Sequence, residues 1–215
     1  MPGRILLATR SAGKLRELRP LFAARGFDVI DLTEAGIAES GHEDELESYA
    51  TFEENALAKA RFFHALGGAA TVADDSGLVV MALNGQPGVL SKRWSGRSDL
   101  SGQVLDDENN RLLLEKLRGS KDRRAFYVCA AAYVDVEREI VCRGEVHGHI
   151  VSGARGAGGF GYDPYFFAEE LGRTFGEADL GQKALVSHRA RAFAALLDAL
   201  ERQGLGRAEK PGFGG

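Results

Sequence analysis

The sequence predicts an α/β fold, and three observations support this class. The N-terminal region gives an apolar run, a helical pattern and a second apolar run, which is the order of a βαβ unit. Strand-like runs and amphipathic segments continue to follow one another along the chain. The length of 215 residues, with 44% hydrophobic and 27% charged residues, suits one large folded domain.

The βαβ unit is predicted from the first elements. Residues 4–9 form a short apolar run, leucines recur at helical spacing over 15–22, and 27–32 form a second strand-like run. The loop at 9–14 leaves the carboxyl end of the first strand, where α/β proteins usually bind ligands. The polar segment 33–50 has no periodicity, and no element is predicted there.

The middle of the chain predicts a helix and then a hairpin. A capping box at 51–54 starts a helix that runs to about residue 66. The apolar runs 71–73 and 78–83 are separated by Asp-Asp-Ser-Gly at 74–77, which predicts a β-hairpin with two acids at its turn.

The second half predicts two helices and the two longest strands. Leucines on one side favour a helix over 103–117, and residues 125–136 and 139–151 predict two long strands joined by a charged turn. A segment with five glycines follows at 153–161, and the last helix begins near Ser187. We expect one domain over 1–203 and a flexible glycine-rich tail over 204–215.

Composition excludes several classes of protein. The formal net charge of −4 gives no basic field to hold a nucleic-acid polymer. The apolar runs are shorter than the roughly 18 residues that a membrane span needs, so the expected location is cytoplasmic. Cys129 and Cys142 lack C-x-x-C spacing, which favours reduced thiols over a disulfide framework or a zinc site.

The first candidate site is the loop from Thr9 to Lys14. Loop amides and a helix N-terminus favour an anion, and the lysine adds a positive charge, so phosphate is a natural ligand. The sequence does not match the P-loop pattern. An ordinary capped helix start with a solvated lysine is the alternative.

The second candidate site is the pair of acids at Asp74 and Asp75. Two adjacent carboxylates at the end of a buried strand repel each other, and a hard cation such as Mg²⁺ would relieve this. One of the acids could also act as a general base. The alternative is an Asx-turn within the predicted hairpin.

A third candidate lies on the helix after residue 51. Asn55 and Lys59 are four residues apart and share one helix face, where a lysine beside an amide could hold a phosphate oxygen. An ordinary exposed lysine is the alternative.

Two further segments suggest a site for a planar heterocycle. Phe160, Gly161, Tyr162 and Asp163 combine an aromatic ring with a carboxylate behind a glycine run, although core aromatics in a turn would look the same.

His188 and Arg189 lie in the first turn of a predicted helix, where the helix dipole disfavours cations. An electron-rich ligand would compensate for this unfavourable interaction, and Lys183 could contact the same ligand. Pairing with Glu177 or Asp179 is the alternative.

Taken together, these motifs give the chain a close resemblance to the inosine triphosphate pyrophosphatase family, which includes the bacterial dITP/XTP pyrophosphatases. The resemblance covers nearly the whole chain, and its motifs occur at 9–14, 51–56, 73–78, Pro87-Gly88 with Arg93, 158–164 and 187–189. It implies an elongated central mixed sheet flanked by helices, in two lobes with a nucleotide cleft between them. It also implies hydrolysis of ITP, dITP and XTP to the monophosphate and pyrophosphate, Mg²⁺ as cofactor, and a homodimer.

The resemblance also assigns roles to individual residues. Asp75 resembles the catalytic acid and proton acceptor, and Glu47, Asp74 and Asp75 resemble the magnesium ligands. The positions that resemble substrate contacts are Thr9, Lys14, Lys59, Ser76, Phe160, Gly161, Tyr162, Asp163, Lys183, His188 and Arg189.

One departure from the family lies in the first loop. The family usually has asparagine where this chain has Ser11, and often glycine or serine at the position of Arg10. A serine hydroxyl reaches less far than a carboxamide, so Lys14 is the stronger substrate contact of this loop. A Maf-like nucleotide pyrophosphatase and a non-catalytic nucleotide-binding module are the alternative functions.

Overall fold

The computed structural model describes residues 4–41 and 43–205, apart from the side chains of Asp44 and Glu45. Seven strands form one sheet in the order β2-β1-β3-β4-β5-β6-β7. The strands are β1 (Ile5–Leu7), β2 (Val29–Asp31), β3 (Thr71–Val80), β4 (Arg124–Val134), β5 (Glu139–Ile150), β6 (Phe166–Ala168) and β7 (Arg173–Thr174). The helices are α1 (Ala12–Ala24), α2 (Phe52–Gly67), α3 (Gly102–Lys116), α4 (Leu180–Val186) and α5 (His188–Arg202), and short 3₁₀ helices cover Glu43–Glu47, Met81–Leu83 and Gly88–Arg93.

The sheet is mixed, as the family resemblance implies. β1 runs parallel to both β2 and β3, which confirms the predicted βαβ unit, and its register pairs Ile5 with Val29. At the other edge, β6 pairs antiparallel with β5 and with β7. The α/β class is therefore confirmed. In the described ranges, no helix is long and apolar enough to cross a membrane.

The chain divides into two compact units. The first unit comprises Met1–Asp74, Ala130–Arg143 and Ala192–Gly215, and the second comprises Asp75–Cys129 and Gly144–Arg191. The C-terminal residues 206–215 of the predicted flexible tail lie outside the described residues.

Each unit has its own apolar core. In the first unit, the ring of Phe22 on α1 packs edge-on against Phe193 of α5, at 5.8 Å between centroids. The last helix, predicted to begin near Ser187, is confirmed as α5, and its residues Phe193, Leu196 and Leu200 are buried. In the second unit, Phe166 and Phe175 pack against Tyr127.

The predicted hairpin at 71–83 is wrong. Residues 71–80 form one continuous strand, with Asp74 and Asp75 in its interior at 1% and 5% exposure. The chain reverses later, at Asn84-Gly85, where both residues have positive φ and the Val80 amide donates to the carbonyl of Gln86. Asn-Gly is the stronger turn signal, and it lies beyond the acids rather than between them.

The helix α2 matches its prediction, whereas several short elements were not predicted because they contain too few residues to show a hydrophobic periodicity. Thr51 caps α2 by accepting a hydrogen bond from the Glu54 amide, as the capping box predicts. The 3₁₀ helix at Glu43–Glu47, the helix α4 and the two- and three-residue strands β6 and β7 were not predicted. α4 is nevertheless capped by a full capping box between Asp179 and Gln182.

Candidate functional site

The loop after β1 places Lys14 against a buried carboxylate. Ser11 is the N-cap of α1 and accepts a hydrogen bond from the Lys14 amide, and the Thr9 hydroxyl accepts one from the Ser11 amide. From the first turn of α1, Lys14 Nζ lies 2.9 Å from Asp74 Oδ2, and the exposed fraction of its side chain is only 16%. The lysine is therefore in a buried ion pair and is not simply solvated.

Lys59 of α2 joins the same group. Its Nζ lies 2.5 Å from Glu47 Oε1 and 3.1 Å from the carbonyl oxygen of Asp74. Glu47 ends the 3₁₀ helix, so this short element is what brings the glutamate to the lysine. We call Lys14, Lys59, Glu47 and Asp74 the first-unit cluster; its two positive and two negative charges balance.

Asn55, predicted to lie beside Lys59 and hold a phosphate oxygen, is buried in the fold. Its side chain is fully buried and its Oδ1 accepts a hydrogen bond from the Tyr49 amide, 2.9 Å away. This contact anchors the segment before α2 and so supports the position of Glu47.

Arg10 links the first loop to the 3₁₀ helix. Its guanidinium donates to both oxygens of Glu43, at 2.7 and 3.2 Å, and to the carbonyl of Ile37, at 2.9 Å. Hydrogen bonding from Arg10 holds the pKa of the Glu43 carboxyl below its usual value. The arginine that departs from the family pattern therefore connects the loop of Lys14 to the element that carries Glu47.

The acids of β3 have the chemistry of a magnesium site. Mg²⁺ binds one or two protein carboxylates and takes its other ligands from water and phosphate, so Asp74 with a neighbouring carboxylate fits this ion. Over the described ranges, no three His, Cys, Asp or Glu side chains are grouped to hold a metal. That Glu47, Asp74 and Asp75 share one ion thus stays a prediction. Asp75 Oδ1 accepts a hydrogen bond from the Ser76 amide.

A second lysine–carboxylate pair lies in the second unit. Lys183 Nζ is 2.7 Å from Asp163 Oδ2, and the side chains are 5% and 3% exposed. The ammonium also lies 4.9 Å from the centroid of the Phe160 ring and 5.3 Å from that of Phe175. Asp163 Oδ2 accepts a further hydrogen bond from the Phe160 amide, which closes a tight turn.

The glycine run is needed for this turn. A side chain at Gly159 would place its Cβ 2.1 Å from Asp163 Oδ2, and its φ of +76° is itself a left-handed value that favours glycine. The turn is also held by α3, since Asp106 accepts a hydrogen bond from the Gly161 amide and Asn110 donates one to the Gly161 carbonyl. Burial raises the pKa of Asp106. Neither Asp106 nor Asn110 is among the residues predicted from the sequence, although their i, i+4 spacing places them on one helix face.

Arg189 and His188 are buried at the start of α5. Arg189 Nη2 donates to Ser76 Oγ at 2.7 Å, and its guanidinium lies 5.8 Å from the centroid of the Phe160 ring. The His188 ring stacks on Tyr127. The acids considered as alternative partners are engaged locally, because Glu177 accepts from the Thr174 amide and Asp179 caps α4.

Tyr162 belongs to the core of the second unit. It is 4% exposed, and its hydroxyl donates to the carbonyl of Ser91 at 2.8 Å. Burial raises its pKa. The structure therefore gives Tyr162 a clear packing role beside its predicted place in the substrate site.

Ten of the predicted site residues thus form two groups. The second-unit cluster consists of Ser76, Phe160, Asp163, Lys183, His188 and Arg189. The contacts described above link five of them, and His188 precedes Arg189 at the start of α5. The first-unit cluster offers two ammonium groups beside carboxylates, which suits phosphate and cation chemistry. The second offers an aromatic ring beside donors and an acceptor, which suits a heterocycle.

Comparison with known proteins agrees with this chemistry. The Ham1 family model matches residues 5–199. A protein named dITP/XTP pyrophosphatase from Burkholderia pseudomallei is 46% identical over 200 residues, covering 92% of this chain and 93% of the relative. One of the same name from Aromatoleum aromaticum is 45% identical over 203 residues, covering 93% and 98%.

Solved structures show the same fold. The Staphylococcus aureus Ham1 protein superposes with a TM-score of 0.79 at 34% identity, covering 93% of this chain and 99% of that one. A dITP/XTP pyrophosphatase from Mycobacterium abscessus is 43% identical with a TM-score of 0.69, covering 90% and 98%. The resemblance drawn from the motifs is confirmed, and the chain belongs to the Ham1 family.

Proposed function

We propose that this protein hydrolyses the non-canonical purine nucleoside triphosphates ITP, dITP and XTP to the nucleoside monophosphate and pyrophosphate. The observation that carries the proposal is the nearly full-length match to relatives named dITP/XTP pyrophosphatase. One cluster has the chemistry to bind a triphosphate, and the other has the chemistry to bind a purine.

The first-unit cluster would bind the triphosphate. Lys14 and Lys59 each face a carboxylate, so that neither charge is uncompensated in its partly buried site. Triphosphate oxygens would compete for these ammonium groups. Positioned cations of this kind stabilise the negative charge that develops on the pyrophosphate leaving group.

Asp75 would act as the general base. Water attacks the α-phosphorus, the bond from that phosphorus to the bridging oxygen breaks, and the proton of the water passes to the carboxylate. Positioned in a buried strand, the side chain of Asp75 has little freedom, which favours a fixed orientation towards the attacking water.

Mg²⁺ is part of the same proposal. Glu47, Asp74 and Asp75 are the carboxylates that would hold it, and their oxygen ligands suit this ion. When bound, it would neutralise phosphate charge and lower the pKa of water.

The second-unit cluster would recognise the base. Phe160 offers a ring for stacking, and Arg189 and His188 are donors that match the 6-keto oxygen of hypoxanthine or xanthine. Adenine carries an amino group at that position, so its hydrogen-bond donor would face the donors of Arg189 and His188 and no hydrogen bond would form. A site built around such hydrogen bonds can discriminate by roughly 10⁴ or more.

The experiment is pyrophosphate release from ITP, dITP, XTP, dGTP, ATP and dTTP, with and without magnesium. We expect release from the first three, and only with magnesium. A preference for dTTP would favour a Maf-like pyrophosphatase, and binding without any release would favour a non-catalytic nucleotide-binding module.

Asp75→Asn tests the proposed base directly. Because a general base contributes about 10²- to 10⁴-fold, we expect kcat for ITP to fall by about that factor while ITP still binds. Asp99→Asn, at an exposed aspartate paired with Arg97, is the matched control and should keep full activity. Near-normal kcat in Asp75→Asn would remove Asp75 from this role.

The homodimer and the cytoplasmic location implied by the resemblance also belong to the proposal. Sedimentation of the purified chain would test the dimer, and a monomer at micromolar concentration would contradict it.

A further inference from the structure

Tyr127 contacts two members of the second-unit cluster, although no motif pointed to it. It lies in β4 and is only 7% exposed. Its ring is stacked on the imidazole of His188, with centroids 4.6 Å apart and planes at 8°. Such a contact fixes the plane of the imidazole, in which both ring nitrogens lie.

The hydroxyl of Tyr127 reaches the second contact. It lies 3.4 Å from Asp163 Oδ1, while Asp163 Oδ2 accepts from Lys183 and from the Phe160 amide. The two oxygens of one carboxylate are therefore divided between the tyrosine and the base-binding turn. A rotation of the Asp163 carboxylate would disturb both Lys183 and Phe160.

Tyr127 is suited to hold these groups because it is rigid and remains a donor. Phe166 and Phe175 pack against its ring, at 4.7 and 6.0 Å between centroids. Burial, helped by the negative charge of Asp163, raises the pKa of the Tyr127 hydroxyl well above its ordinary value, so that it stays protonated. Sites carried on strands are also positioned more firmly than sites on loops.

We infer that Tyr127 is a positioning residue for base recognition, which holds the His188 imidazole with its ring and the Asp163 carboxylate with its hydroxyl. The inference rests on the proposed function, in which His188 and Asp163 face the purine. Tyr127 itself touches neither the phosphates nor the attacking water in this scheme. Its loss should therefore change discrimination between bases and leave the phosphate chemistry of a bound substrate largely intact.

The test uses Tyr127→Phe, which removes only the hydroxyl, and Tyr127→Leu, which also removes the stacked ring. Tyr133→Phe is the matched control. Tyr133 lies on the same strand, is 3% exposed and donates its hydroxyl to Asp135 at 2.9 Å, but it belongs to the first unit. The readouts are the Kd values of IMP and AMP by calorimetry, kcat and KM for ITP, and thermal unfolding of each variant.

We expect the preference for IMP over AMP to fall about threefold in Tyr127→Phe, since one weak hydrogen bond is lost. We expect a fall of about tenfold in Tyr127→Leu, because misplaced groups bind poorly. KM for ITP should rise more than kcat falls. Tyr133→Phe should keep the wild-type preference even if its unfolding temperature drops.

Two outcomes would overturn the inference: a wild-type protein that does not prefer IMP, or Tyr127 variants that keep the IMP to AMP ratio of Tyr133→Phe. If Tyr127→Leu does not fold, the IMP to AMP preference of Tyr127→Phe alone tests the inference. If the wild type prefers IMP but releases no pyrophosphate from ITP, the proposed function fails and the inference about base recognition stands.

Discussion

The two units each contain a lysine–carboxylate pair, and the two pairs are built differently. In the first unit, Lys14 faces Asp74 at 2.9 Å with 16% of the lysine side chain exposed. In the second, Lys183 faces Asp163 at 2.7 Å with 5% exposed, and two aromatic rings adjoin its ammonium. Under the proposed function, the more exposed ammonium of Lys14 would exchange its carboxylate partner for a phosphate oxygen, whereas the enclosed ammonium of Lys183 would keep its partner.

The supports of the two pairs differ as well. Lys14 and Asp74 are carried by a helix and by a strand of the sheet. Asp163 lies in a turn that is shaped by a glycine and tied to α3 by Asp106 and Asn110. The first pair is positioned by regular elements and the second by a network of hydrogen bonds, so mutations should affect them in different ways.

The largest difference should appear in stability. Lys183→Met leaves the buried carboxylate of Asp163 without its ammonium, and breaking a buried pair costs about 3–5 kcal/mol. Lys14→Met should cost less, because the Lys14 side chain is 16% exposed and water can take the place of its ammonium beside the buried Asp74 carboxylate. Urea unfolding of both variants measures the two free energies, and equal losses would contradict the contrast between the pairs.

The next difference should appear in catalysis. Lys14→Ala should lower kcat/KM for ITP about 10²-fold, as loss of one positioned charge on the phosphates commonly does, and weaken triphosphate binding far more than monophosphate binding. The ratio of ITP to ATP hydrolysis should stay at the wild-type value. Arg189→Ala is the complementary variant, because Arg189 is proposed to recognise the base, and it should lower the ratio of ITP to ATP hydrolysis. A changed ratio in Lys14→Ala would place Lys14 at the base.

The smallest effect should come from the link between Arg10 and Glu43. The Glu43 pKa is lower in the folded chain than its usual value of 4.5, so the ionised carboxylate stabilises the protein above that pH, and the stabilisation is lost as the pH falls through the lowered pKa. Glu43→Gln should therefore be about 0.5–1 kcal/mol less stable than wild type at pH 7.

This difference should shrink as the pH is lowered below 4.5. Glu169→Gln, at an exposed glutamate, is the control for the effect of the substitution itself. Unfolding free energies measured from pH 7 to pH 3 provide the check. A gap between wild type and Glu43→Gln that stays constant with pH would mean that the charge of Glu43 is not the cause.

Local sequence determined the regular elements. Apolar periodicity and a capping box were enough to predict α2 and the last helix, and the run of short and long strands gave the α/β class. Local sequence also indicated the residues with unusual chemistry. A lysine that follows a strand, or two adjacent acids, can be recognised in the sequence without knowledge of their tertiary contacts. The turn was misplaced because Asp-Ser-Gly and Asn-Gly are both local turn signals. The ion pair of Asp74 with Lys14, which helps to stabilise a carboxylate in mid-strand, forms in the folded protein and is not visible in the local sequence.

The tertiary structure determined which residues contact one another. No spacing relates Tyr127 to His188, Asp106 to Gly161, or Arg10 to Glu43, since these contacts join residues 33 to 61 positions apart that only the packing of strands and helices brings together. The sequence by itself thus determined which groups can do chemistry. Folding decided which charge each of them faces and how deeply each pair is buried, and burial governs the strength of a charge–charge interaction because it sets how much water screens it.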